Sequence, residues 1–96
     1  MIEVRKTAAF ERWLESLADE RAQARIAVRL DRLALGLAGD ARPIGQGVSE
    51  LRIDYGPGYR VYFKRRGATV VVLLGGGTKR TQAADIGAAL KLAAQL

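Results

Sequence analysis

The stretch that decides the fold is Glu50-Leu51-Arg52-Ile53-Asp54-Tyr55-Gly56-Pro57-Gly58-Tyr59-Arg60-Val61-Tyr62-Phe63-Lys64. Leu51, Ile53 and Tyr55 alternate with Glu50, Arg52 and Asp54, the period-two pattern of a half-buried strand. Gly56-Pro57-Gly58 then reverses the chain, because proline fixes φ and glycine permits positive φ. Tyr59, Val61 and Phe63 alternate with Arg60, Tyr62 and Lys64, so the chain returns as a second strand. Arg65-Arg66-Gly67 is read as another turn. Val70-Val71-Val72-Leu73-Leu74 is apolar throughout, which predicts a central strand covered on both faces and ended by Gly75-Gly76-Gly77.

Upstream the period changes. Ile2 to Arg5 alternates and predicts a short first strand. Thr7 caps a short helix whose inner face is Phe10, Trp13, Leu14 and Leu17. Asp19 caps a longer helix with the stripe Ala22, Ile26, Leu30, Leu33 and Leu37, and Gly36 and Gly39 bracket its end. The short connection predicts an antiparallel helical hairpin. Downstream, Thr78 or Thr81 caps a last helix with Ile86, Ala89, Leu90 and Ala93 inward. The expected class is α+β, in the order β-α-α-β-β-β-α, with a small antiparallel sheet. At 96 residues the chain is expected to be one domain, 1–96.

Composition closes several doors. There is no cysteine and no histidine, so thiolate chemistry, zinc fingers and histidine-based triads are excluded. The net charge is +6, and its placement is uneven. Residues 1–40 carry seven basic and seven acidic side chains, whereas residues 41–96 carry nine basic and three acidic ones. That asymmetry points to a phosphate polymer or an acidic protein as partner. The start of the chain has no signal-peptide pattern, and no apolar run is long enough to span a membrane. A cytoplasmic protein with no membrane partner is expected.

Arg52 lies beside Glu50 and Asp54 on one strand, and Arg60 shares a face with Tyr62 and Lys64 on the next. Lys79 and Arg80 follow the central strand at a helix start, where free N–H groups favour an anion. This cluster suits a ribose-phosphate backbone, with Tyr59 or Tyr62 available for stacking. The opposing reading leaves Arg52 paired with Glu50 or Asp54, and Arg60 as a structural anchor. The register puts Tyr55 and Tyr59 in the core and favours Tyr62 as the site tyrosine. Lys64, Arg65 and Arg66 are either RNA contacts or a solvated turn. Arg21, Arg25 and Arg29 form either an exposed helix face or a surface for an acidic partner. No acidic pair has metal-site spacing, so neither a metal nor another cofactor is expected.

Phe10-x-x-Trp13-Leu14-x-x-Leu17, Glu50-Leu51-Arg52-Ile53, Gly56-Pro57-Gly58-Tyr59-Arg60-Val61-Tyr62-Phe63, Leu73-Leu74-Gly75-Gly76-Gly77-x-Lys79 and Gln82-x-x-Asp85-Ile86 occur in this order. In that series the chain resembles the RelE/ParE toxin superfamily, and within it the HigB-like addiction module killer proteins. The resemblance implies an mRNA endoribonuclease acting on translating ribosomes. It implies neutralisation by an antitoxin with a helix-turn-helix domain, which would be the only link to DNA. It carries RNA-holding roles onto Arg52, Arg60, Lys79 and Arg80. In the mechanism so implied, the RNA 2′-hydroxyl attacks the adjacent phosphorus while Arg60 and Arg52 stabilise the charge. Lys79 is expected as base and Tyr62 as proton donor. Arg21, Arg25 and Arg29 are expected at the antitoxin surface. The same superfamily leaves two other classes open: a ParE-like DNA gyrase inhibitor that is not a nuclease, and an inactive binding module.

Overall fold

The computed structural model describes all residues, 1–96. Its elements are β1 (Glu3–Lys6), α1 (Ala8–Ser16), α2 (Glu20–Ala34), β2 (Ala41–Gly45), β3 (Val48–Ile53), β4 (Tyr59–Arg66), β5 (Val70–Thr78), a 3-10 turn (Lys79–Thr81) and α3 (Gln82–Ala93). The five strands form one sheet in the order β1-β5-β4-β3-β2. The α+β class and the β3-β4-β5 meander agree with the sequence reading. Two features differ from it. Ala41–Gly45 is an additional edge strand, and β1 runs parallel to β5, so the sheet is mixed. The edge strand was hidden because Ala-Arg-Pro-Ile-Gly has neither clean alternation nor β-branched enrichment. Proline is tolerated there because an edge strand can dispense with one N–H donor.

The starts of α1 and α2 follow their caps, whereas Thr81, the N-cap of α3, makes no side-chain capping bond. The Thr7 hydroxyl accepts from Phe10 N, and the Asp19 carboxylate accepts from the N–H groups of Arg21 and Ala22. Leu37 does not join the stripe of α2. The helix ends at Ala34, Gly36 turns the chain at φ +83°, and Leu37 is exposed. The connection of α1 to α2 is fixed by Gln23, whose amide donates to the carbonyls of Leu14 and Leu17.

Helices cover both sides of the sheet. On one side Phe10, Ile26, Leu33, Leu51, Val61, Phe63, Val71 and Leu73 form the larger core beneath α1 and α2. On the other, Val48, Tyr62, Val72 and Leu74 pack against Ala89 and Ala93 of α3. Thus β5 is a central strand covered on both faces, as its unbroken apolar run requires.

The three glycines do not end β5; they extend it to Thr78. Their role is close approach. A Cβ on Gly76 would lie 2.4 Å from the Trp13 ring, and one on Gly77 would lie 1.7 Å from Oδ2 of Asp85. Gly76 lets α1 settle onto the strand, and Gly77 lets α3 do so from the opposite face. The second turn also moves: Arg65 and Arg66 belong to β4, and the chain turns at Gly67, where φ is +66°.

Candidate nucleic-acid interface

The hairpin built by Gly56-Pro57-Gly58 sets the site. β3 and β4 pair so that Arg52 lies directly opposite Arg60, and Arg60 lies opposite Gly77 of β5. Two like charges facing each other across strands are unfavourable unless they are compensated. Compensation comes from two different carboxylates. Arg60 Nη1 donates to Oε1 of Glu50 at 3.2 Å, and Arg52 Nε lies 3.6 Å from Oδ2 of Asp40.

Glu50 is the residue the sequence reading missed. Its side chain is fully buried, on the face of the sheet that α3 covers. It accepts hydrogen bonds from Arg42 of β2, Arg60 and Tyr62 of β4, and Gln82 of α3, the last at 2.7 Å. A buried carboxylate is tolerated when its lone pairs are met by donors, and these four donors come from three separate elements. The available signal was positional. Once the α3 stripe is assigned to the sheet, the face carrying Glu50, Arg60 and Tyr62 must lie beneath it.

Tyr62 is correspondingly not at the site. It is fully buried, and its hydroxyl donates to Oε2 of Glu50 at 3.3 Å. Burial raises its ionisation far above the usual tyrosine range, with the neighbouring Glu50 and Asp85 charges adding to the effect. Neither substrate access nor proton donation suits such a group. Tyr59, which the register puts in the core, is buried there at 7% exposure and also forms part of the cleft wall. Its ring meets Trp13 edge-on at 6.5 Å.

A cleft of about 280 Å³ opens at this end of the sheet, lined by Asp40, Arg52, Ile53, Asp54, Gly58, Tyr59, Arg60 and Lys79. Arg52, Arg60 and Lys79 therefore converge, although they come from three segments. Lys79 is positioned by its backbone N–H, which donates to the carbonyl of Gly58 at 2.9 Å and ties the end of β5 to the hairpin turn. Beyond it, the Thr81 hydroxyl accepts from Thr78 N and donates to Asp85. Two of the three cations are ion-paired, and Lys79 is not. The Arg52–Asp40 pair is exposed and easily exchanged for another anion. Arg60 Nε is buried without a protein acceptor, an uncompensated donor at the base of the cleft.

The other predicted contacts separate. Arg80, Arg65 and Arg66 are exposed. Lys64 is not a free cation of the turn, because its ammonium donates to the carbonyl of Ala93 and anchors the end of α3. Arg21 and Arg25 are exposed on α2, and the Arg25 guanidinium lies 4.5 Å from the centroid of the Tyr55 ring. Arg29 is not freely exposed. It is half-buried and donates to the carbonyls of Arg52, Ala38 and Asp40, bracing the segment that carries the cleft. Beside these arginines runs a larger groove of about 590 Å³, which shares Ile53 and Asp54 with the cleft. No three carboxylates gather so as to hold a metal ion, and no helix is long and apolar enough to cross a membrane.

Comparison with known proteins supplies the context. The family described as phage derived protein Gp49-like (DUF891) matches residues 12–95. The chain is 45% identical over 95 residues to a Haemophilus influenzae protein described only as uncharacterized, covering 99% of this chain and 96% of that protein. Among solved structures it is similar to a chain of the toxin–antitoxin complex RelBE2 from Mycobacterium tuberculosis. The TM-score is 0.60 at 25% identity, over 81% of this chain and 98% of the other.

Proposed function

This chain belongs to the family of phage-derived Gp49-like proteins, and from that premise we propose that it is the toxin of a type II toxin–antitoxin pair, HigB-like, that cuts mRNA on the ribosome. The observation that carries the reading is the convergence of Arg52, Arg60 and Lys79 on one cleft large enough for a single sugar-phosphate link. Fixed cations aimed at a phosphorus centre stabilise the charge that develops during attack by the 2′-hydroxyl. Arg60, held by Glu50, is the fixed member, and Arg52 is the member that exchanges Asp40 for the phosphate. Tyr59 offers a ring beside the link, and the exposed Arg80, Arg65 and Arg66 supply salt-sensitive attraction for flanking phosphates. No cofactor or metal takes part, and residues 1–96 act as one unit.

The partner in this reading is an antitoxin with a helix-turn-helix domain, through which alone the pair meets DNA. Arg21 and Arg25 on α2 are its docking points on the toxin, and Arg29 contributes as the brace beneath them.

A second reading, a ParE-like inhibitor of DNA gyrase, is favoured by one observation: the chain has no histidine to serve as acid or base. One pair of assays separates the two. Added to a translating mRNA, the purified protein should create new 5′ ends by primer extension, while gyrase supercoiling proceeds unchanged. Intact mRNA with supercoiling blocked would overturn the nuclease reading in favour of the second. Intact mRNA with normal supercoiling, and no growth defect on expression, would leave an inactive binding module.

A further inference from the structure

With Tyr62 buried beneath α3 and no histidine in the chain, RNA cutting needs another proton donor, and, if Lys79 gives that proton instead of serving as the expected base, another base as well. The cleft contains a pair. Asp54 immediately follows β3, and Lys79 opens the turn after β5; both are exposed, and both line the cleft beside Arg52 and Arg60. The other carboxylate of the cleft, Asp40, is engaged with Arg52. Asp54 and Lys79 form no ion pair, so both are free to meet a substrate.

We propose that Asp54 is the general base and Lys79 the general acid of the cleavage, an assignment that rests on the RNA-cutting reading. A carboxylate supplies the acceptor and an ammonium the donor that the step requires. The proton of the 2′-hydroxyl passes to the Asp54 carboxylate as the 2′-oxygen bonds to phosphorus. The bond from phosphorus to the 5′-oxygen breaks, and that oxygen takes a proton from the Lys79 ammonium. The products are a 2′,3′-cyclic phosphate and a 5′-hydroxyl. Asp54 is left protonated and Lys79 neutral, and exchange with water restores both. Arg52 and Arg60 hold the non-bridging oxygens throughout.

The assignment also accounts for the mixed charge of the cleft. A site for phosphate alone gains nothing from two carboxylates. A site for a ribonucleotide link uses one of them to accept from the sugar hydroxyl and the other to hold an arginine in reserve. The preferred substrate class is therefore ribose-containing, because deoxyribose offers Asp54 no donor.

The test uses a translated mRNA carrying, at the link where wild-type protein first cuts, either the natural 5′-oxygen or a sulfur in its place. A thiol is far more acidic than an alcohol and departs without a proton. On the natural link, Lys79→Met and Asp54→Asn should each slow cutting by about 10²–10⁴-fold. On the sulfur link Lys79→Met should recover to within a few-fold of wild type, while Asp54→Asn stays slow. Circular dichroism checks that both exposed-site variants are folded. Wild-type cutting by Asp54→Asn, or a Lys79→Met defect that sulfur does not relieve, overturns the assignment and leaves the RNA-cutting reading standing. Failure of the wild-type protein to cut at all overturns that reading and the assignment with it.

Discussion

Arg52 and Arg60 stand opposite each other on one rung of the sheet, and they live in different surroundings. The Arg60 side chain is 12% exposed and its partner Glu50 is fully buried. The Arg52 side chain is 43% exposed and its partner Asp40 is 58% exposed. Identical chemistry on neighbouring strands thus gives one immobile cation and one exchangeable cation. Depth makes the difference: a desolvated pair with several hydrogen bonds is held, whereas a pair in water is worth little and is screened by salt. A phosphate site benefits from both, one guanidinium to define position and one to release its carboxylate as substrate arrives.

The largest expected effect breaks the buried side of this comparison. Glu50→Ala leaves the Arg60 and Arg42 guanidiniums without their carboxylate and Tyr62 and Gln82 without their acceptor. A loss of about 3–5 kcal/mol is expected for removing one member of a buried pair. It should show as a lower urea midpoint with an unchanged slope. Asp40→Ala, on the exposed side, should cost under about 1 kcal/mol by the same measurement. Comparable losses for the two would abolish the distinction.

A middle-sized effect concerns the floor of the site. Gly77→Ala places a methyl group against the Asp85 carboxylate. Overpacking of this kind costs about 1–3 kcal/mol. Because Asp85 bonds Thr81 close to Lys79, RNA cutting should fall as well. A variant with wild-type stability would show that α3 does not press on β5 as described.

Tyr62→Phe carries the smallest effect. It removes one hydrogen bond to Glu50, worth about 1 kcal/mol, and should leave cutting unchanged. The same tyrosine sets an alkaline limit. Its ionisation is raised in the folded protein, chiefly by burial, so the folded state keeps a proton that the unfolded chain releases above about pH 10. Its contribution is intact below that pH and is lost as pH rises further toward the folded-state value. Unfolding curves from pH 9 to 11 should show stability falling in the wild type and falling less in Tyr62→Phe.

Much of the fold was legible because the strands around Gly56-Pro57-Gly58 alternate cleanly and the helices carry capped, periodic stripes. The candidate cations were legible because Arg52, Arg60 and Lys79 flank turns that topology brings together. What failed was the choice of which face is open. Alternation shows that Glu50, Arg60 and Tyr62 share a face, and only the packing of α3 shows that the face is covered. Hence Glu50 was overlooked, and Tyr62 was favoured over Tyr59 as the site tyrosine. The triple glycine misled for a related reason. Read locally it ends a strand, whereas Trp13 and Asp85, distant in sequence, require backbone without side chains there.

The most direct measurement of the account is the single-turnover rate of mRNA cutting by Arg60→Ala beside wild type, with folding checked by circular dichroism. Arg60 as the fixed phosphate-binding cation predicts a folded variant that cuts at least about 10²-fold more slowly. A folded Arg60→Ala protein that cuts within a factor of two of wild type would contradict it.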